Sequence, residues 1–578
     1  MRPFRPLLLL AAAAALATVP VAAQAKDKEP APASAPVKAD DHGDDGKPKD
    51  DGDENAGDDE AQDDQGGGST GSGHEGGEGT GGGAGAPADP GAPAAPPDES
   101  AHGSTADDTP APQPATVTAP NVDPRLAAVA NDALARDPQA SLHVLVFGRS
   151  ASDAVSDAGG TPRGGSGAIA GATIPAADLA KLADGDGVAY VMLDLPVLPT
   201  AAADTAAVAP MPFAQLVGAP AAWRRGLSGK GVGIAVIDSG VTPTTALAGR
   251  RLVQVRLDGR EGALDDSFGH GTFVAGIAAG GDADHRGVAP GAAVYAVNVA
   301  RGDGVYTSDV LAGLEWVLAN HARRHIRVVT LSLQETAPSS YRANPLDTVV
   351  EQLWRAGVVV VASAGNLGPG AALFAPANDP FVVSVGALDT DGRPAAFSTS
   401  GTTPDGFAKP ELLAPGRHIV STLPTGTTLA SQAPAANLVA PGYAMMSGTS
   451  MSAPQVAAAA AILLQQHPSW KPDQVKWVLV RTSWPLAAGS AGSLDVARAV
   501  AFPGRPGSAN RGREPATFGL RRSTATLRRL RDEEMPEGSP TFDDTGWSNA
   551  GWSNAGWANA GWANAGWSNA GWANVGWN

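Results

Sequence analysis

From residue 232 to residue 388 the chain alternates short, mostly apolar runs with longer stretches of helical period. The runs are Val232–Asp238, Val294–Val299, Val328–Leu333, Val358–Ala362 and Phe381–Leu388. The helical stretches are Ser308–Arg324 and Asp347–Arg355, and further on Met451–His467. A strand that is apolar along its whole length is buried on both faces, and such strands alternating with helices predict an α/β domain. Its parallel sheet is covered on both sides. We place this domain at 212–503. In such sheets ligands bind beyond the carboxyl ends of the strands.

Upstream, residues 121–200 carry a weaker pattern. Ser141–Gly148 reads as a strand, Ser150–Ala158 as a short helix and Ala168–Pro175 as a strand. Ala176–Ala183 reads as a helix and Val188–Leu193 as a strand, with one further strand poorly defined in the glycine-rich 159–167. The result is a small α+β unit, too small to be more than marginally stable alone.

The flanks lack such patterns. Arg2 and Arg5 precede the apolar run Leu7–Val19, and small residues at Ala23 and Ala25 follow, so 1–25 reads as a secretory signal cut after Ala25. The run is short for a membrane span, and no later segment is long and apolar enough for one. We therefore expect a mature chain without a span, secreted and extracellular or held at the cell surface. Residues 26–120 are rich in Asp, Gly, Pro and Ala and cannot bury enough apolar area to offset chain entropy. They predict a disordered acidic spacer. The net charge of −18 is concentrated there: residues 26–110 hold 22 Asp/Glu against five Lys. The remainder is nearly neutral, which excludes a global basic field for nucleic acid. With no Cys, a disulfide framework or cysteine-based zinc site is excluded too. Residues 201–211 read as an Ala/Pro/Thr linker. Residues 504–545 read as a linker that is first arginine-rich (Arg521, Arg522, Arg528, Arg529, Arg531) and then acidic.

Chemistry gathers at four places. Asp238 ends the run Gly231-Val-Gly-Ile-Ala-Val-Ile-Asp238-Ser-Gly240. His270 opens a helix in Gly269-His270-Gly-Thr-Phe-Val-Ala-Gly276. Ser450 sits at the start of an alanine-rich helix in Ser447-Gly-Thr-Ser450-Met-Ser-Ala-Pro454, with Pro454 expected in its first turn. Asn366 follows Val358-Val-Val-Val-Ala-Ser-Ala-Gly365. A serine hydroxyl is a weak nucleophile without a base in reach and a group that orients the base. Asp238, His270 and Ser450 supply the three types. The Asn366 amide and the Ser450 backbone N–H would make a two-donor hole for an oxyanion, helped by the helix dipole.

In the order Asp, His, Asn, Ser, these motifs closely resemble the subtilisin-like serine proteases (subtilases). Gly287-Val-Ala-Pro-Gly291, Thr330-Leu-Ser-Leu333 and Lys409-Pro-Glu-Leu-Leu-Ala-Pro-Gly416 support the likeness, which covers roughly 212–503. The resemblance implies a three-layer α/β domain that hydrolyses peptide bonds of protein or peptide substrates. Ser450 would be the nucleophile, His270 the general base and acid, Asp238 the orienting carboxylate and Asn366 the oxyanion donor. It also implies that a substrate pairs as an extra strand at two backbone edges, Ser332-Leu333-Gln334 and Ser363-Ala364-Gly365. This chain departs there. Gln334 stands where Gly is common and Ser363 where Ala is frequent, and Gln334 would narrow or polarise the cleft. No acidic residue in these segments argues for a pocket for basic side chains. Phe273 replaces a second His of the family's His motif. By position and pattern, 121–200 resembles a subtilase prodomain, an intramolecular inhibitor released by a cut within 195–211. The resemblance implies no cofactor for catalysis. Structural calcium is common in the family, but no ligand loop is assignable here.

The tail, 546–578, repeats Gly-Trp-Ser/Ala-Asn-Ala with period five and holds seven of the 13 Trp. It reads as an adhesive aromatic tail. Alternatively, its Trp-x-Asn spacing resembles substrates of radical enzymes that crosslink an aromatic ring to the residue two positions on, which would make such an enzyme a partner. A second class of function therefore stands beside the secreted endopeptidase: a self-processing precursor or surface-binding protein whose protease domain delivers its own tail.

Overall fold

The computed structural model describes residues 116–516, apart from 167, 204–209, 257, 264, 303 and 487–489. The expectations for the signal, for the acidic spacer through residue 115, for the arginine cluster at 521–531 and for the repeat tail lie outside the described residues. So does most of the 201–211 linker.

The centre of the fold is an eight-stranded sheet. Its order is Gly492–Ser493, Leu412–Pro415, Val383–Leu388, Val359–Ser363, Ile326–Leu331, Gly233–Asp238, Ala293–Asn298, Leu252–Val255. All seven neighbouring pairs are parallel. The inner strands Gly233–Asp238, Val359–Ser363 and Val383–Leu388 are buried at every residue, as their unbroken apolar runs require of strands covered on both faces. Helices His270–Ala279 and Thr449–Gln466 pack on each other and on the sheet, and Thr307–Arg324 and Pro345–Arg355 do likewise, giving the three-layer α/β arrangement. The three outer strands were not anticipated. Leu252–Val255 has a half-buried pattern, Leu412–Pro415 has four residues and Gly492–Ser493 has two, so none carries a long apolar signal.

Beside the sheet, Lys409 and Lys476 both reach Glu411 Oε1 at 2.7 Å and also donate to the Val382 carbonyl. Burial pushes the Lys476 ammonium down to about 8, against the pull of Glu411. The Lys409-Pro-Glu segment thus supplies a buried ionic tie under the sheet edge.

The upstream unit is a four-stranded antiparallel sheet ordered Thr161–Ser166, Ile169–Pro175, Ser141–Gly148, Val188–Leu193. The glycine-rich stretch is its edge strand. An unanticipated helix, Pro124–Arg136, precedes it, with Asp123 accepting from the N–H groups of Arg125 and Leu126 and Pro124 opening the first turn. Strand alternation divides the sheet cleanly. Leu142, Val144, Val146, Val191 and Leu193 join the unit's own core. Leu145, Phe147, Ile169, Tyr190 and Met192, on the other face, join the core of the large domain. Burying such side chains is worth about 1.5–3 kcal/mol each, so a unit marginal by itself is stabilised by the domain it covers.

Candidate active site

Asp238 is the last residue of a fully buried central strand, so its carboxylate stands at the carboxyl edge of the sheet. Oδ1 accepts from Ser239 N at 2.8 Å and from Ser239 Oγ at 3.2 Å. His270 Nδ1 lies 2.8 Å from Oδ1 and 2.9 Å from Oδ2. A carboxylate at that distance puts the imidazole proton on Nδ1 and makes Nε2 the basic nitrogen.

Asp266, a residue that sequence reasoning missed, holds the start of the His270 helix. Its Oδ1 accepts from Gly269 N at 2.7 Å, and its Oδ2 accepts from Thr272 N at 2.8 Å and Thr272 Oγ1 at 2.7 Å. Burial pushes this carboxyl up to about 6, against those donors. The available signal was an acidic residue one turn ahead of a helix start.

Ser450 is the second residue of helix Thr449–Gln466 and is fully buried. Pro454 is not in the first turn, as expected above, but is the sixth helical residue. The correction has a physical reading. A proline one turn in has no N–H for the carbonyl four residues back, which is that of Ser450. That carbonyl instead accepts from Ser332 Oγ at 3.0 Å. The missing ladder bond ties the helix start to the cleft edge. Asn366 Oδ1 accepts from Thr449 N and Thr449 Oγ1, both at 3.0 Å, which fixes the amide with Nδ2 facing the cleft.

The cleft is filled by the chain itself. Thr307 N donates to Leu195 O, and Val197 N donates to Val305 O. Val197–Pro199 pairs antiparallel with Leu333–Glu335, and Thr200 N donates to Ser332 O at 3.3 Å. The Thr200 carbonyl oxygen then accepts from Ser450 N at 3.2 Å and from Asn366 Nδ2 at 2.6 Å. Beyond it, Ala202 and Ala203 pair with Ser447 and Met446. Gly448 permits this approach, because a Cβ there would meet the Thr200 oxygen at 2.4 Å. Asp238 and His270 are therefore joined directly, and Ser450 and Asn366 are joined through Thr200. The Ser450 hydroxyl donates to Ser332 O at 2.9 Å and accepts from Thr200 N at 3.1 Å.

One cleft edge is Ser332-Leu333-Gln334. The second is Val305–Thr307, not Ser363-Ala364-Gly365 as expected above. Ala364 N is already committed to Val385 O and Gly365 N to Thr449 Oγ1, so that segment has no donor left for a pairing strand. It contributes a side chain instead: Ser363 Oγ accepts from Thr200 Oγ1 at 2.7 Å. Between the two edges, Glu335 accepts from Thr307 Oγ1 and Asn344 Nδ2 at 2.8 and 2.7 Å, and burial pushes its carboxyl up to about 7. Among the described residues, no group of three or more His, Asp or Glu side chains is placed to hold a metal ion.

The parallel sheet carries a carboxylate–imidazole pair and a helix-start serine at its carboxyl edge, the side chains that a serine-peptidase site requires. A family profile described as "Subtilase family" matches residues 229–519, half of the chain, and the chain belongs to that family. It is 36% identical over 271 residues to serine protease AprX of Bacillus subtilis (strain 168), covering 44% of this chain and 61% of that relative's length. It is 36% identical over 279 residues to subtilisin Savinase of Lederbergia lenta, covering 47% of this chain and 90% of the relative. Among solved structures, fervidolysin from Fervidobacterium pennivorans, described as a keratinolytic enzyme related to subtilisin, shares the fold. Its TM-score is 0.52 at 24% identity, over 64% of this chain and 62% of that one.

Proposed function

We propose that the chain is an exported serine endopeptidase made as a precursor, whose first substrate is its own Thr200–Ala201 bond. The reading rests on one observation: the Thr200 carbonyl oxygen lies between two donors, Ser450 N and Asn366 Nδ2, with the flanking segment strand-paired on both sides. Ser450 Oγ turns from Ser332 O toward His270, which takes its proton at Nε2 while the oxygen attacks the Thr200 carbonyl carbon. Asp238 holds the imidazolium through Nδ1–H, and negative charge gathers on the oxygen already in the two-donor pocket. His270 then protonates the Ala201 nitrogen, the peptide bond breaks, and Thr200 is left esterified to Ser450. Water, deprotonated by His270, hydrolyses the ester. The upstream unit keeps its hold on the domain after the cut and acts as an inhibitor in its own cleft. No helix among the described residues is long and apolar enough to cross a membrane, and the expected signal directs the chain to the outside.

The test is intact-mass measurement and amino-terminal sequencing of protein from the medium of the native host. A new terminus at Ala201 is expected. A mature form still carrying 116–200 in one covalent chain would refute the precursor reading.

Asn366→Ala is expected to lower kcat about 10²–10³-fold, ~3 kcal/mol, as loss of one oxyanion donor does in the related subtilisin. KM should move little, because the donor acts on charge that develops only in the transition state. Steady-state kinetics on a peptide substrate would check it, and an unchanged kcat would mean that another group donates.

A further inference from the structure

Two residues bound the space open to the side chain that precedes the cut. The first is Gln334. Gly365 has φ +101°, and a Cβ built on it would meet Gln334 Oε1 at 2.3 Å and Thr399 Oγ1 at 3.1 Å. The Gln334 amide therefore reaches across from one wall of the pocket, 332–334, and lies against the other, 363–365. Gln334 is only 4% exposed, so a large aromatic side chain entering between these walls would have to displace a packed amide.

The second is Ser363. Its buried hydroxyl accepts from Thr200 Oγ1 at 2.7 Å and donates to Leu331 O at 3.4 Å. Thr200 Oγ1 also lies 2.7 Å from Ser450 Oγ. The threonine hydroxyl is thus engaged on two sides in a site closed to water. An isosteric valine would put a methyl group against two buried hydroxyl oxygens and leave Ser363 without its donor.

We infer that Gln334 and Ser363 together make this a peptidase that cuts after small β-hydroxy residues, threonine and serine, and turns away aromatic and long aliphatic ones. The inference rests on the serine-peptidase reading above and names the substrate class of that site. Both residues stand where the family resemblance leads one to expect glycine and alanine, so the preference belongs to this chain's own substitutions.

The test uses the processed enzyme and internally quenched peptides Val-Leu-Pro-Xaa-Ala-Ala-Ala, with Xaa Thr, Ser, Val, Leu or Phe. In parallel, Thr200→Val and Thr200→Phe are made in the full chain and the rate of its own cut is followed. Thr and Ser should exceed Val roughly tenfold in kcat/KM, the worth of about one hydrogen bond, and Phe should fall below Val. Ser363→Ala should bring the Thr-to-Val ratio near one. Gln334→Gly should raise Phe relative to Thr by about tenfold or more. Equal rates for Thr and Val, or a lead for Leu or Phe, in the wild-type series would overturn the pocket assignment whether or not the variants fold. Where peptides are not turned over, the Thr200 series decides by the same order. If neither the peptides nor the Thr200–Ala201 bond is cut, the serine-peptidase reading itself fails, and the specificity falls with it.

Discussion

Ser450→Ala is expected to leave the chain in one piece across Thr200–Ala201 and to reduce peptide hydrolysis about 10⁶-fold, the loss that removing the nucleophile causes in the related subtilisin. The substitution deletes one oxygen. The Ser332 carbonyl loses one donor but keeps Thr200 N, so the cost to stability should be within about 1 kcal/mol. The upstream unit, packed through Leu145, Phe147 and Met192, should stay seated on the intact precursor, and the thermal transition should be close to that of the wild type. The cut in the wild type should follow first-order kinetics independent of protein concentration, since attacking oxygen and attacked carbonyl belong to one chain. Time courses at two dilutions, with mass spectra of both proteins, are the measurement. A Ser450→Ala chain that matures at the wild-type rate in the absence of other proteases would remove Ser450 from the role of nucleophile.

The reactive residues were legible because each ends or opens an element whose pattern is strong. Asp238 follows five buried strand residues, and Ser450 is the second residue of a helix of 18 residues, 16 of them buried. What brings them together is sheet order, and the order follows from parallel pairing between strands whose own sequences do not name their partners. For that reason the central strands were foreseen and the short outer ones were not. The helix at Pro124–Arg136 did announce itself locally, through Asp123 and Pro124, but its buried positions are few, Leu126 and Ala130 among them. Leu126, Val129, Ala130, Ala133 and Leu134 nonetheless fall at helical spacing and pack on the unit's core, so this helix was legible in the sequence and went unread. The proposed cut site was legible only as part of an Ala/Pro/Thr stretch. That Thr200 meets Ser450, 250 residues away, depends on how the upstream unit docks, and docking is decided by one alternating face of its strands, Leu145, Phe147, Ile169, Tyr190 and Met192, which looks like any other half-buried face. The second cleft edge failed for a related reason. Ser363-Ala364-Gly365 lies on a strand end, but its N–H groups are consumed by Val385 and Thr449, a long-range commitment with no local mark.

Once the bond is cut, the hold of the upstream unit is expected to weaken as pH rises from about 4 to 7, and Asp194 is the reason. Asp194 follows the last strand of the unit and faces the start of helix Thr307–Arg324. Its Oδ1 accepts from Ser308 N at 2.9 Å and its Oδ2 from Ser308 Oγ at 2.6 Å. The helix start and these donors favour the anion, yet burial outweighs them and pushes the carboxyl up to about 7. Asp309 adds to the rise and Arg163 opposes it. Asp309 is itself paired with Arg301 and Arg163, and burial raises its carboxyl too. On the remaining side, the His143 ring stacks on Tyr306 at 4.1 Å. When the unit leaves, Asp194 returns to water and to an ordinary carboxylate range. The docked state therefore binds the proton more tightly than the released state. Docking is strongest below both values, weakens by up to tenfold per pH unit between them, and levels off above about 7. Over that interval the change approaches 10³-fold, with Asp309 acting in the same direction. The recovery of peptidase activity after cleavage should therefore be faster at pH 8 than at pH 5, beyond what the pH profile of the freed enzyme explains. Asp194→Asn cannot ionise, so it should flatten the dependence and keep the unit docked at pH 8. Release that slows as pH rises, or an unchanged profile in Asp194→Asn, would show that this carboxyl does not govern the contact.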